Sequence, residues 1–269
     1  MRFLFWNLCK KPIAGLVARL CRDHDIDIVV LVENEIATSQ LLSELNIERT
    51  RYRFHPAPSE RVSIFSRLPS DCITPIRDDG KVTFRRVKDP LKLDFVLVAA
   101  HLGSKLHLSD LDQASHAGRL VRELEKIEDD IGHQRTVVVG DLNMNPFEPG
   151  IIGSDSFHAV MSRTIAASET RTVDGRTCTF FYNPMWSKYA GDPPGTYFMR
   201  KSVPHCYFWN MFDQVLIRPE LVDGFSDDDL RIITTIGTTN LLRDSGRPDT
   251  TVASDHLPIV FSLRLESEV

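Results

Sequence analysis

Four polar residues close four apolar runs. Asn7 follows Phe3-Leu4-Phe5-Trp6, Glu33 follows Ile26–Val32, His101 follows Phe95–Ala100, and Asp141 follows Val137-Val138-Val139-Gly140. A side chain at the end of a buried strand can look into a crevice while its apolar neighbours anchor it in a sheet. One such residue is an ordinary turn former. Four metal-capable or acid–base residues in the same situation point to a shared site. Asp141-Leu142-Asn143 adds detail. In extended backbone, positions i and i+2 share a face, so both side-chain oxygens would point one way and suit a hard cation such as Mg²⁺. An Asx turn ahead of Pro146 is the alternative.

A second cluster lies late in the chain. Ser254-Asp255-His256-Leu257-Pro258 precedes the last apolar run, and a turn there would let Asp255 and His256 reach one site. Asp213, just before Val215-Leu216-Ile217, is placed to orient a histidine as a triad carboxylate does. A plain structural Asp–His pair is the competing explanation. No G-x-S-x-G elbow, P-loop or H-E-x-x-H motif occurs, which removes three common hydrolase chemistries.

The elements that must position these residues are legible as patterns. Arg2–Trp6, Ile26–Val32, Arg61–Ser66, Phe95–Ala100, Thr136–Val139, Phe212–Ile217 and Leu257–Leu265 are short, apolar and bounded by polar or Gly/Pro residues, as buried strands are. Ile13, Leu16, Val17 and Leu20 recur at helical spacing. A longer helix is predicted from Leu111 to about Ile131, with Leu111, Ala114, Gly118, Val121, Leu124 and Ile131 on one face, Ser109 as N-cap and Asp112 closing a capping box. Strand follows helix early and strand follows strand over 51–100, an α/β pattern of largely antiparallel sheets with helices outside. The aromatic-rich stretch 178–212 is either a satellite core under a long loop or a wall facing substrate.

Composition bounds the rest. The 269 residues are 42% hydrophobic and 26% charged, enough for a real core in one domain spanning 1–269. No apolar run approaches the ~20 residues of a membrane span, and no export signal is visible. Five scattered cysteines without a C-x-x-C pair fit a reducing, cytoplasmic setting and argue against structural zinc. The net charge of −5 is unlike that of a simple DNA-coating protein. A carboxylate-rich metal site is compatible with it, because bound cations neutralise part of a phosphate's charge.

Together, Phe5-Trp6-Asn7, Leu31-Val32-Glu33, Ser63-Ile64-Phe65-Ser66-Arg67, Ala100-His101-Leu102, Gly140-Asp141-Leu142-Asn143, Phe212-Asp213-Gln214-Val215-Leu216 and Ser254-Asp255-His256-Leu257-Pro258 resemble, in order and over nearly the whole chain, the endonuclease/exonuclease/phosphatase superfamily. The resemblance implies a DNase I-like fold, a four-layer α/β/β/α sandwich of two packed mixed, mostly antiparallel sheets. It implies Glu33 as main ligand of Mg²⁺ or Mn²⁺, with Asn7 and Asp255 nearby. Asp141 and Asn143 would position the phosphate, the nucleophile or a second metal, and His256 would act with Asp213 as general base or phosphate-stabilising pair. His101 matches the histidine of the DNase I and sphingomyelinase branches. The chain departs from the family at Val32, where glutamine is common, and at Met211 and Gln214 around Asp213; Glu35 is the alternative ligand to Glu33.

The implied activity is divalent-metal-dependent hydrolysis of nucleic-acid phosphodiesters, endo or exo. The alternative is a small or lipid phosphoester; a catalytically inactive binding member is opposed by the retention of Glu33, Asp141, Asn143, Asp213, Asp255 and His256. Lys10, Lys11 and Lys105 are the candidate substrate contacts nearest the site, followed by Arg49, Arg51 and Arg53, by Arg85, Arg86 and Lys88, and by Arg200 and Lys201.

Overall fold

Along the strand Arg2–Asn7 (β1), Phe3 and Phe5 point to one side and Leu4 and Trp6 to the other, and all four are fully buried. A strand buried on both faces must belong to a covered sheet. The computed structural model, which describes residues 1–47, 51–57, 61–88, 93–200 and 206–265, shows two such sheets. Arg49 and Lys201 lie outside the described residues.

The first sheet contains β1, β2 (Ile28–Val32), β3 (Arg53–His55), β4 (Val62–Ser66), β16 (Arg231–Ile232) and β19 (Ile259–Ser262), in the order β16-β19-β1-β2-β4-β3. The second contains β5 (Ile73–Asp78), β6 (Val82–Val87), β7 (Phe95–His101), β8 (Thr136–Asp141), β9 (Ala159–Val160), β12 (Phe181–Tyr182) and β15 (Asp213–Ile217), in the order β5-β6-β7-β8-β15-β12-β9. The pairs β1–β2, β7–β8 and β9–β12 are parallel, and the other pairs within these sheets are antiparallel. Three small hairpins decorate the edges: β10 (Thr170–Val173) with β11 (Arg176–Thr179), β13 (Tyr197–Phe198) with β14 (Trp209–Asn210), and β17 (Thr235–Ile236) with β18 (Thr239–Asn240).

Three apolar layers hold the sandwich. Phe3, Phe5, Val30, Leu97, Val139, Val215 and Phe261 fill the space between the sheets, with Phe3 stacked on Phe261 at 4.7 Å. Leu4, Trp6, Val29 and Leu31 pack under helices α1 (Ala14–Asp23) and α2 (Thr38–Leu45), through Val17, Leu20 and Leu41. Val96, Val98, Val138 and Leu216 pack under α3 (Asp110–Ile131), through Leu120, Val121 and Leu124. Each such side chain contributes about 1.5–3 kcal/mol of burial. The order is the expected α/β/β/α.

Helix α3 starts with the expected capping box, Ser109 accepting from the Asp112 amide and Asp112 from the Ser109 amide, and ends at Gly132, whose φ of 86° supplies the left-handed cap. Its buried face also takes in Ala117, Leu120 and Ile127, whereas Leu111, expected on it, is 80% exposed in the first turn. Toward its other end, buried Glu128 clamps Arg218, which follows β15, through two bonds of 3.0 and 2.9 Å. The short helix α4 (Pro149–Ile152) joins this layer through Ile151, whereas α5 (Arg163–Ala166) buries Ala166 in the core between the sheets. No helix among the described residues is long and apolar enough to cross a membrane.

Candidate active site

Strand register assembles the site. In the second sheet His101 lies opposite Asp141 and Asp141 opposite Asp213, so three chemically capable residues stand in a row across the ends of β7, β8 and β15. Gly140 permits this spacing, since a Cβ there would collide with the Ala100 carbonyl oxygen of the neighbouring strand. From the first sheet, Asn7 ends β1 in register with Val32 of β2, and Glu33 follows. Buried Asn7 then crosses between the sheets and donates from Nδ2 to Asp141 Oδ2 at 3.0 Å.

The Ser-Asp-His segment closes the site by backbone ties. Ser254 Oγ donates to the Asn7 carbonyl at 2.6 Å and accepts from the His256 amide at 3.1 Å, and Trp6 Nε1 donates to the His256 carbonyl at 2.9 Å. His256 thereby faces Asp213, its Nδ1 lying 2.8 Å from Asp213 Oδ2 and its Nε2 3.9 Å from Asp141 Oδ2. Tyr197, from the aromatic-rich stretch, covers the imidazole at 4.5 Å.

These groups surround a cavity of about 170 Å³ whose wall includes Cys9, Glu33, His101, Asp141, Asn143, Tyr197, Asp255 and His256. Three residues of its wall hold left-handed backbone, at φ of 46° (Cys9), 48° (Glu33) and 52° (Asn143), and so does Lys10 next to Cys9, at 58°. Such conformations cost non-glycine residues energy and cluster where function requires a fixed geometry. The sequence carries no sign of them.

Protonation follows from burial and charge. Burial opposes a charge on His256, but the carboxylates of Asp213 and Asp141 outweigh it and push the imidazolium up to about 10. Burial likewise drives Asp141 up to about 7, against the pull of His256 and of its hydrogen bonds from Asn7 and Asn143. Burial lowers His101, whose Nε2 lies 3.5 Å from Glu33 Oε1. The Cys9 thiol rises to about 11 through burial and the adjacent Asp255 and Glu33 carboxylates, so it stays protonated.

Several expected residues behave differently in detail. Asn143 does not share an extended face with Asp141: its amide donates to Asp141 Oδ1 at 2.9 Å, the Asx turn, and its Nδ2 donates to the Leu102 carbonyl at 3.1 Å. Asn7, expected beside the metal, engages both ends of its amide, since Oδ1 accepts from the Cys9 amide at 2.9 Å. Glu33 is on the cavity wall, whereas exposed Glu35 pairs with Lys10 at 2.9 Å. Lys10 is therefore directed to Glu35. Lys105 reaches the cavity wall, but its ammonium is held by Asp110 at 2.7 Å and Glu148 at 2.5 Å. Arg85 is buried and cannot touch a phosphate track, and Arg86 pairs with Asp94.

Gln113 is a functional residue without a direct sign in the sequence. This buried α3 residue donates to the carbonyls of Gly103 at 2.8 Å and Asn143 at 2.9 Å, holding the turn after Asp141. A lone glutamine on a helix reads as surface, and only the packing of α3 against that turn reveals its place.

The donor set fits a hard cation. Glu33, Asp141 and Asp255 bring three carboxylates to one cavity, and the lysine on its wall is already neutralised by Asp110 and Glu148. Ligand atoms of Asp141, Asp213 and His256 also lie within 4.8 Å of one another, a second possible metal position. A cation there would have to displace the 2.8 Å hydrogen bond of His256 to Asp213, so the Glu33 side is the better seat.

Comparison with known proteins gives one family. The model of the Endonuclease/Exonuclease/phosphatase family matches residues 4–256. None of the curated proteins matches the sequence. Solved structures that match include an endonuclease/exonuclease/phosphatase family protein from Leptotrichia buccalis, at 11% identity over 98% of this chain and 99% of that one, TM-score 0.59. An AP endonuclease from Archaeoglobus fulgidus matches at 14% identity over 98% and 99%, TM-score 0.56. TDP2 of D. rerio, complexed with a single strand DNA product, matches at 14% identity over 98% of each chain, TM-score 0.56. At these identities the likeness establishes the fold.

Proposed function

This chain belongs to the endonuclease/exonuclease/phosphatase family of phosphoesterases, and from that premise we propose that it hydrolyses nucleic-acid phosphodiesters with a divalent cation, Mg²⁺ or Mn²⁺. The observation that carries the proposal is the row His101, Asp141, Asp213 with His256 bonded to its end, facing Glu33 and Asp255 across one cavity.

A phosphodiester is anionic and resists attack, and a cation bound by Glu33 and Asp255 would offset charge on the phosphoryl oxygens. Asp141, on the cavity wall with its carboxylate fixed by Asn7 and the Asn143 amide, is placed to accept a proton from water. His256, held protonated by Asp213, presents Nε2–H to a phosphoryl or leaving oxygen. The carboxylate and the imidazolium thus divide the base and acid roles. Asn7 and Gln113 act indirectly, by fixing Asp141 and the turn that carries Asn143.

Nucleic acid as substrate is supported by the shared fold of the AP endonuclease and of the DNA-bound TDP2. One observation favours a small phosphoester instead: Lys10 and Lys105 are both committed to carboxylates, which leaves them less free for a phosphate backbone. The test is cleavage of supercoiled plasmid, linear duplex, single-stranded DNA and RNA with Mg²⁺, Mn²⁺ or EDTA, with His256→Ala as control for a contaminating nuclease. Metal-dependent cutting lost in the variant supports the proposal. Hydrolysis of a small phosphodiester with every polymer left intact replaces it with the second reading.

A further inference from the structure

Beside the cavity lies an aromatic cluster that the hydrolytic site does not use. Phe147, which follows the Asp141 turn, is the hub: Tyr207 meets it edge to face at 5.3 Å, and Trp186 and Tyr189 lie 6.2 Å away at tilts of 58° and 33°. Tilted and edge contacts leave ring faces uncovered, and Tyr207 is 68% exposed. The turn that presents Tyr207 is strained, with the next residue, Phe208, at φ 61°, in the left-handed region that a bulky side chain disfavours.

The chemistry of such a surface and its place say what it takes. A nucleobase offers a flat π-face to an exposed tyrosine ring, and it is the part of a nucleic acid that lies next to the phosphate. The cluster is wired to the cavity. Tyr189 donates to Asn145 Oδ1 at 3.2 Å, Asn145 donates to Glu148 at 3.1 Å, and Glu148 pairs with Lys105 on the cavity wall.

We propose that the Phe147–Trp186–Tyr189–Tyr207 cluster is a stacking receptor for one unpaired nucleobase of the strand whose phosphate occupies the cavity, so that the enzyme favours single-stranded or frayed ends over closed duplex. The inference rests on the nuclease reading and deepens it. Within a duplex both faces of a base are covered by its neighbours; an unstacked base can give one face to Tyr207. Base–aromatic stacking is tolerant of sequence, so the site selects strandedness rather than base identity.

The experiment is an abasic walk. A single-stranded oligonucleotide is made as a series in which each base in turn is replaced by an abasic spacer, and kcat/KM is measured for the wild type, Tyr207→Ala and Tyr207→Phe. In the wild type one spacer position lowers kcat/KM by about 5- to 150-fold, the range of base–aromatic stacking. Tyr207→Ala loses a similar factor on the intact oligonucleotide and no longer responds to that spacer, while Tyr207→Phe keeps both. Cleavage with a flat walk in the wild type, or an unaffected Tyr207→Ala, overturns this inference and leaves the nuclease reading standing. Failure to cut any oligonucleotide overturns both.

Discussion

Asp213→Asn separates catalysis from folding. Asp213 is fully buried, and its Oδ2 holds His256 Nδ1 at 2.8 Å while its Oδ1 has no hydrogen-bond partner among the described residues. Asparagine is isosteric but uncharged, so His256 loses the anion that holds it protonated and becomes neutral. The lost charge-assisted hydrogen bond is worth about 1.5–3 kcal/mol, and loss of a positive donor at the developing oxyanion about 2.7–4 kcal/mol. At 1.36 kcal/mol per decade, and allowing for their overlap, kcat falls about 10³- to 10⁴-fold, as when a triad carboxylate is replaced. Stability moves little, by less than about 1 kcal/mol, because the substitution also removes a buried negative charge, whose desolvation opposes folding. The assay pairs kcat on a metal-dependent phosphodiester substrate with thermal unfolding followed by circular dichroism. A loss of less than about tenfold, in a folded variant, would refute the assignment of His256 and Asp213 as a working pair.

Two other consequences concern stability. Glu128→Gln leaves the Arg218 guanidinium buried over the Phe181 ring without its carboxylate, and urea unfolding should show a loss of about 3–5 kcal/mol, largely recovered when both partners are made apolar. At Asp94, burial raises the carboxyl, but hydrogen bonds from Arg135 and Arg86 prevail and hold it at about 2, below the ordinary 3.8. Its contribution, about 1–2 kcal/mol after solvent screening, is complete above the unfolded value and fades as pH falls from about 4 to about 2. Asp94→Asn should therefore flatten that part of the acid stability profile in urea titrations.

Strand and helix periods were readable because each apolar run alternates between two buried layers, as Phe3 and Phe5 do against Leu4 and Trp6. The polar residues ending those runs were readable for the same reason, being out of pattern. What stayed hidden depends on pairing. Only the register of β7, β8 and β15 brings His101, Asp141 and Asp213 into line, and register is a long-range property. The left-handed backbone of Cys9 and Glu33 and the role of Gln113 arise from contacts between segments far apart in the chain, whereas the Asx turn at Asn143 is local and was one of the two readings the sequence offered. Charge clusters misled most: Lys10, Lys105 and Arg86 look free in sequence and are paired in space.

The central claim, a metal-assisted phosphodiesterase at this cavity, is tested most directly by single-turnover cleavage of an end-labelled oligonucleotide across a Mg²⁺ titration, comparing wild type, Glu33→Gln and His256→Ala. The account predicts no cleavage in EDTA, a Mg²⁺ midpoint raised at least about tenfold in Glu33→Gln, and a slower rate at an unchanged midpoint in His256→Ala. Cleavage that persists in EDTA, or a Glu33→Gln midpoint equal to that of the wild type, would contradict it.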